Sequence, residues 1–140
     1  MREFHFLVEH DDFSAELLVG GEISLYSLAL LINKAVRFEF EFDDSFEFCD
    51  NLKQPFRSKE RYSLLADMDE VDDGSLGVQE TSIADVFRPR RKMIYHCEFG
   101  TDWYFLVTCT AIKESTAKRS FKKIVSTSGT PPEQYPEDFG

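Results

Sequence analysis

The stretch Met93 to Ile112, MIYHCEFGTDWYFLVTCTAI, restricts the possible folds of this chain more than any other. It consists of two apolar runs meeting at Phe99-Gly100-Thr101-Asp102. Gly100 accepts the positive φ of a two-residue hairpin turn, and Thr101-Asp102 is ordinary turn chemistry. With Gly100 and Thr101 as the loop, Phe99 pairs with Asp102, Glu98 with Trp103 and Cys97 with Tyr104. One face then carries Ile94, His96, Glu98, Trp103, Phe105, Val107 and Cys109. The other carries Met93, Tyr95, Cys97, Tyr104, Leu106 and Thr108. Both faces are largely apolar, so the hairpin is expected at the centre of a sheet covered on both sides or nearly so. His96 and Glu98 are the polar exceptions, which predicts that they are solvated at the rim or hydrogen-bonded.

The rest of the chain supplies partners for this hairpin. Phe4 to His10 and Phe13 to Val19 read as two strands around the turn signal Asp11-Asp12. Ser24 is placed to cap a helix from Leu25 to Val36, whose Leu25, Leu28, Ala29, Ile32 and Val36 share one face. Lys34 and Arg37 fall in its last turn, where positive charge suits the helix dipole. Phe38 to Phe42 alternates Phe with Glu as a strand does, Asp43-Asp44-Ser45 is a turn or bulge, and Phe46-Glu47-Phe48 resumes the alternation. Arg61 to Ala66 reads as a short strand and the acidic segment Asp67 to Glu80 as a mobile loop. Thr81 or Ser82 caps a short helix ending near Phe87, before Pro89. Phe121 to Val125 reads as a last strand. Strands and helices in this order predict the α+β class: a single domain with an antiparallel-rich sheet, a central hairpin and two helices over residues 1–126, then an irregular tail over 127–140.

Composition excludes several classes. A length of 140 residues suits one core, and 14 phenylalanines supply it without a metal or disulfide staple. The net charge of −10 opposes a general nucleic-acid or anionic-membrane surface. Cys49, Cys97 and Cys109 are an odd set with no Cys-x-x-Cys spacing, as expected of free thiols in a reducing cytoplasm. No apolar run approaches the ~18–20 residues of a membrane helix, and the first residues lack a signal core. Neither a P-loop, a dinucleotide glycine motif, a nucleophile elbow nor His-Glu-x-x-His is present.

Candidate site residues gather at the ends of the presumed strands. Asp43, Asp44, Glu98 and Asp102 would converge near Trp103 if the first strand after the helix packs beside the hairpin. Such carboxylates bind a cation or perform acid–base work. The plainer reading makes Asp102 a partner of turn amides and Glu98 a rim residue. Trp103 either lines a ligand pocket or belongs to the core. His5 and His10 fall on opposite strand faces, which is poor metal spacing, so the histidines read as structural or surface groups. Arg88-Pro89-Arg90-Arg91-Lys92, joined by Lys118, Arg119, Lys122 and Lys123, either touches phosphate or flanks a strand in solvent.

Several segments, in order, resemble the Ri-plasmid ORF-3-like family, which also carries a TnpR-type label as a passenger of insertion elements. They are the capped helix Ser24 to Val36, the aromatic-acidic segment Phe42 to Phe48, and Thr81-Ser82-Ile83-Ala84-Asp85-Val86. The hairpin Tyr95-His96-Cys97-Glu98-Phe99-Gly100-Thr101-Asp102-Trp103 and Gly129-Thr130-Pro131-Pro132-Glu133 complete the set. Family members often carry Trp and His where this chain has Phe42 and Phe46. Many also have Cys and Gly-Gly around the Pro-Pro-Glu element, so no metal role carries over through those positions. The resemblance implies an α+β fold and no established activity. The expected function is a non-enzymatic binding or interaction module without cofactor or metal. It would contact a protein or small ligand through Asp43, Asp44, Glu98, Gly100, Asp102 and Trp103. The alternatives are a metal-assisted enzyme at the same acidic residues, or a nucleic-acid-contacting accessory protein of a mobile element.

Overall fold

A computed structural model describes residues 1–39, 44–68, 74–98 and 101–134. Its strands are β1 (Arg2–His10), β2 (Phe13–Gly20), β3 (Ser45–Cys49), β4 (Arg61–Ser63), β5 (Leu76–Gly77), β6 (Lys92–Glu98), β7 (Asp102–Glu114) and β8 (Phe121–Ser128). Its α-helices are α1 (Leu25–Val36), α2 (Leu64–Asp67) and α3 (Ile83–Val86). The strands form one sheet in the order β5-β4-β3-β6-β7-β1-β2-β8. Only β4 and β5 run parallel; the other neighbours are antiparallel. The domain is therefore sheet-rich α+β with a mixed, mostly antiparallel sheet. The β6–β7 hairpin occupies its two middle positions.

Alternation along the strands sends one set of side chains into a single core. Phe4, Phe6, Val8, Phe13, Leu17, Phe48, Tyr95, Phe105 and Val107 are buried there with Leu25, Leu28, Ile32 and Val36 of α1. Ser24 begins α1 as the sequence suggests, with its side chain accepting from the Ser27 amide. Ser82 caps α3 in the same way through the Ala84 amide, and the two caps face each other in an isolated antiparallel bridge. The Leu25 amide donates to the Thr81 carbonyl and the Ile83 amide to the Ile23 carbonyl, so the two helix starts are pinned together.

Three expectations need correction, and a fourth holds in part. Among the described residues three α-helices stand where two are expected, because Ser63 caps a turn of helix within the stretch read as strand 61–66. The segment 67–80 contains β5, which adds to the sheet edge beside β4. The tail begins later, since β8 continues to Ser128. The opposite face of the sheet carries no helix from α1 or α3. Leu7, Leu18, Tyr104 and Leu106 there are only partly buried, whereas Ile94 and His96 of β6 are buried, so the hairpin is covered on both faces along β6 and only in part along β7. The predicted strand at Phe38–Phe42 falls mostly outside the described residues; Phe38 and Glu39 are irregular.

Replacing Ser24 by Ala removes the α1 cap and is expected to lower unfolding free energy by about 1 kcal/mol in chemical denaturation. Ser24→Asp should restore most of the loss, because its carboxylate reaches the same amide.

Candidate functional site

The geometry of the site follows from the hairpin register. Glu98 lies opposite Asp102, Cys97 opposite Trp103, and His96 opposite Tyr104. The connection is therefore three residues long, not two, and the pairing is offset by one residue from expectation. A one-residue offset exchanges the faces of one strand relative to the other. Trp103 consequently joins Tyr95, Cys97 and Phe105 on the core side. His96, Glu98, Asp102 and Tyr104 share the face opposite α1.

Strand β3 completes this face. Glu47 pairs with His96, and Ser45 with Glu98. Two adjacent rows result: Ser63, Glu47, His96 and Tyr104 across β4, β3, β6 and β7, then Ser45, Glu98 and Asp102 one step nearer the turn. His96 is 3% exposed although it is polar. Its ring stacks on Tyr104 at 4.6 Å and 7°, and Phe56 meets it edge-on at 5.7 Å.

Carboxylates take up both of its ring nitrogens. Nε2 lies 2.8 Å from Asp102 Oδ1, and Nδ1 lies 3.5 Å from Glu47 Oε2. A carboxylate only accepts, so both neighbours favour the protonated ring. Burial alone pushes the imidazole pKa down, but hydrogen bonds and charge from Glu47 and Asp102 outweigh it and raise the value above 6.5. Glu47 Oε1 also accepts from Arg61 Nε at 3.1 Å and Nη2 at 2.9 Å, and from the Cys49 thiol at 2.9 Å. Its burial raises the carboxyl pKa, yet hydrogen bonds from His96, Cys49 and Arg61 with the Arg61 charge hold it down at about 2. Glu98 accepts from the Ser45 hydroxyl at 3.1 Å. A cleft of about 180 Å³ opens beside this group, lined in part by Ser45, Glu47, Phe56, Arg61, His96 and Glu98.

The arrangement suits binding a positive charge better than nucleophilic attack. Burial, reinforced by Glu47, pushes the Cys49 thiol up to about 12. Burial pushes Cys109 up to about 11 and Cys97 well above its ordinary value, with Asp44 and Asp102 adding to the latter. A thiol so raised is not a thiolate at neutral pH.

The structure divides the residues expected to act together. Glu98 and Asp102 converge. Asp44 is half-buried just before β3, near enough to Cys97 to disfavour its thiolate. Asp43 and Gly100 lie outside the described residues. Trp103 is on the other face, beside Phe38 at 5.4 Å and His10 at 5.5 Å. Its indole N–H donates to the Gln134 carbonyl at 3.2 Å. The Gln134 side chain meanwhile exchanges two 2.8 Å hydrogen bonds with the backbone N–H and C=O of Glu39. Residues up to Gln134 thus dock over Trp103. Gly129 directs them there at φ 79°, where a Cβ would collide with the Asp12 carbonyl.

His96 and Glu47 were not among the expected site residues. The available signal was their alternation: Glu47, His96, Glu98 and Asp102 share a face once a three-residue connection is assumed. The basic run also divides. Arg91 pairs with Glu60 at 2.9 Å, and β7, β1 and β2 separate β6 from Lys122 and Lys123 on β8. At ~4.8 Å per strand that is roughly 19 Å, too far for one phosphate.

No protein-family model matches the chain, and no curated protein does. Among solved structures, a crystal structure of a protein of unknown function from Methanosarcina mazei Go1 is similar. It is 14% identical, with a TM-score of 0.66 over 98% of this chain and 73% of that one. The likeness is one of fold.

Two outcomes check this geometry. The His96 Cε1 proton should titrate with a midpoint above 6.5 in NMR, and Asp102→Asn should lower it. The sign for stability follows: the His96 contribution is complete below 6.5 and lost as pH rises through its raised value. The Glu47 contribution is present above 4.5 and lost as pH falls towards 2. Separately, Gln134→Ala should red-shift Trp103 emission and increase its quenching by acrylamide, without moving the His96 titration. Gly129→Ala should do the same more strongly.

Proposed function

We propose that this protein is a non-enzymatic binding module whose cleft beside the β6–β7 turn takes a cationic group from a partner protein or small ligand. The observation that carries the reading is the convergence of Glu47, Glu98 and Asp102 around buried His96. Glu47 is already matched by Arg61, and His96 lies between Glu47 and Asp102. Glu98 lines the cleft and Asp102 lies opposite it on β7; both are exposed and retain unused acceptor capacity. Raised thiols and the absence of an activated nucleophile among the described residues also support binding over group transfer. A net charge of −10 draws cations towards the surface, and the cleft supplies local geometry.

The wider setting belongs to the same proposal. Three free thiols suit a reducing compartment such as the cytoplasm. Among the described residues no helix is long and apolar enough to cross a membrane. Membership of the Ri-plasmid ORF-3-like family is proposed from the ordered motifs. The proximity of Thr130, Pro132 and Glu133 to Trp103 supports it, since the two most recognisable segments then form one surface.

A fluorescein-labelled hexa-arginine peptide, followed by anisotropy, tests the reading. Saturable binding is expected, weakened at least about fivefold by the pair Glu98→Gln and Asp102→Asn, a loss of ~1 kcal/mol. The pair Glu22→Gln and Glu114→Gln, equal in charge but at the opposite end of the sheet beside Arg2, should leave it nearly unchanged. Equal weakening by both pairs would mean diffuse attraction and sink the proposal.

A further inference from the structure

We infer that the His96 cleft is a site for a divalent ion of the zinc type, bound by His96 Nε2 and the carboxylates of Glu98 and Asp102. This rests on reading the cleft as a cation site and names the cation. Three observations carry it. First, one donor atom from each residue lies within 4.8 Å of the others. Bonds of ~2.0–2.2 Å to a common ion place donors roughly 3–3.6 Å apart, so only modest side-chain rotation is needed. The two carboxylates are exposed, Asp102 already at Nε2 and Glu98 held only by the Ser45 hydroxyl, while the imidazole is fixed between Tyr104 and Phe56.

Second, the other ring nitrogen is already provided for. Histidine ligands regularly give their second N–H to a carboxylate, which fixes ring orientation and strengthens the metal-facing nitrogen. Glu47 occupies that position at Nδ1, 3.5 Å away, and Arg61 anchors it from behind. Arg61 also keeps Glu47 engaged, leaving it to orient the ring while Glu98 and Asp102 supply the oxygens.

Third, the donor set selects among ions. One imidazole nitrogen with two carboxylate oxygens suits a borderline ion, whereas Mg²⁺ and Ca²⁺ favour oxygen alone. Two carboxylates and a neutral ring balance a charge of +2. Binding displaces the Nε2 proton, now shared with Asp102, to solvent. Three protein ligands leave a fourth tetrahedral position for water or a group from a partner.

Calorimetric titration of the intact protein with ZnCl₂ tests the inference, with the histidine Cε1 protons followed by NMR. One equivalent should bind and perturb His96, leaving His5 and His10 unmoved. Affinity should fall at least about tenfold in Asp102→Asn and Glu98→Gln, with circular dichroism and thermal melting used to verify that each variant stays folded, since Asp102 also partners buried His96. Glu47→Gln should cost ~10–100-fold. A thousandfold excess of Mg²⁺ should not compete. No binding, or undiminished binding in Asp102→Asn and Glu98→Gln, overturns the inference. If Zn²⁺ fails while hexa-arginine still binds through Glu98 and Asp102, the metal assignment falls and the binding-module reading stands. If both probes fail, both fall.

Discussion

The antiparallel register between β6 and β7 is the constraint on which the rest of the structure depends. Glu98 opposite Asp102 sets every later pair. It sends Tyr95, Cys97, Phe105 and Val107 into the α1 core and leaves His96 and two acids on the other face. A slip by one residue would drive Asp102 or Tyr104 towards the Phe cluster and Trp103 towards the acids. Buried β-strand faces specify register because such a slip exposes apolar groups and buries polar ones together. The apolar core therefore determines where the charged cluster sits.

Within that frame, the cluster is held by mutual dependence. His96 tolerates burial because carboxylates meet both nitrogens, and Glu47 tolerates burial because His96, Arg61 and Cys49 all donate to it. Removing one member leaves another partly desolvated and unmatched, which costs more than the lost bond itself. Tyr104, stacked on the imidazole, feels the same acids: its burial and the charges of Asp102, Glu47 and Glu98 raise its phenol pKa. The two faces of the hairpin thus do different things. Trp103 senses the docked segment around Gln134, and Tyr104 senses the acids.

Much of this was legible in the sequence where the period was long enough to read. The α1 helix has twelve residues, one apolar face and a Ser cap, and its bounds match expectation. Strands β1 and β2 announce themselves by alternation around Asp11-Asp12. Short elements were not legible. The four residues of α2 hold barely one turn, and β5 consists of Leu76 and Gly77, positioned by pairing with β4. Hairpin loop length was ambiguous because both β6 and β7 are apolar on both faces, so either register hides some apolar groups. The site was half legible. Glu98 and Asp102 were visible as acids near a turn. His96 looked like an isolated strand histidine until sheet pairing brought Glu47 beside it, a contact between segments far apart in the chain.

That last point extends to the sheet as a whole. The first strand, β1, lies between β2 and β7, with Arg2 opposite Glu114. During synthesis β1 and β2 can form a hairpin early, but the third strand of that group emerges only after nearly all the site residues have left the ribosome. Pairings so distant in sequence incur loop-closure entropy before they repay it, and folding rates fall accordingly. The nascent β1–β2 hairpin must therefore wait with both edges unpaired, that of β2 for β8 and that of β1 for β7. The charged Glu3 and Glu9 along the β1 edge would discourage it from pairing with a neighbouring chain meanwhile.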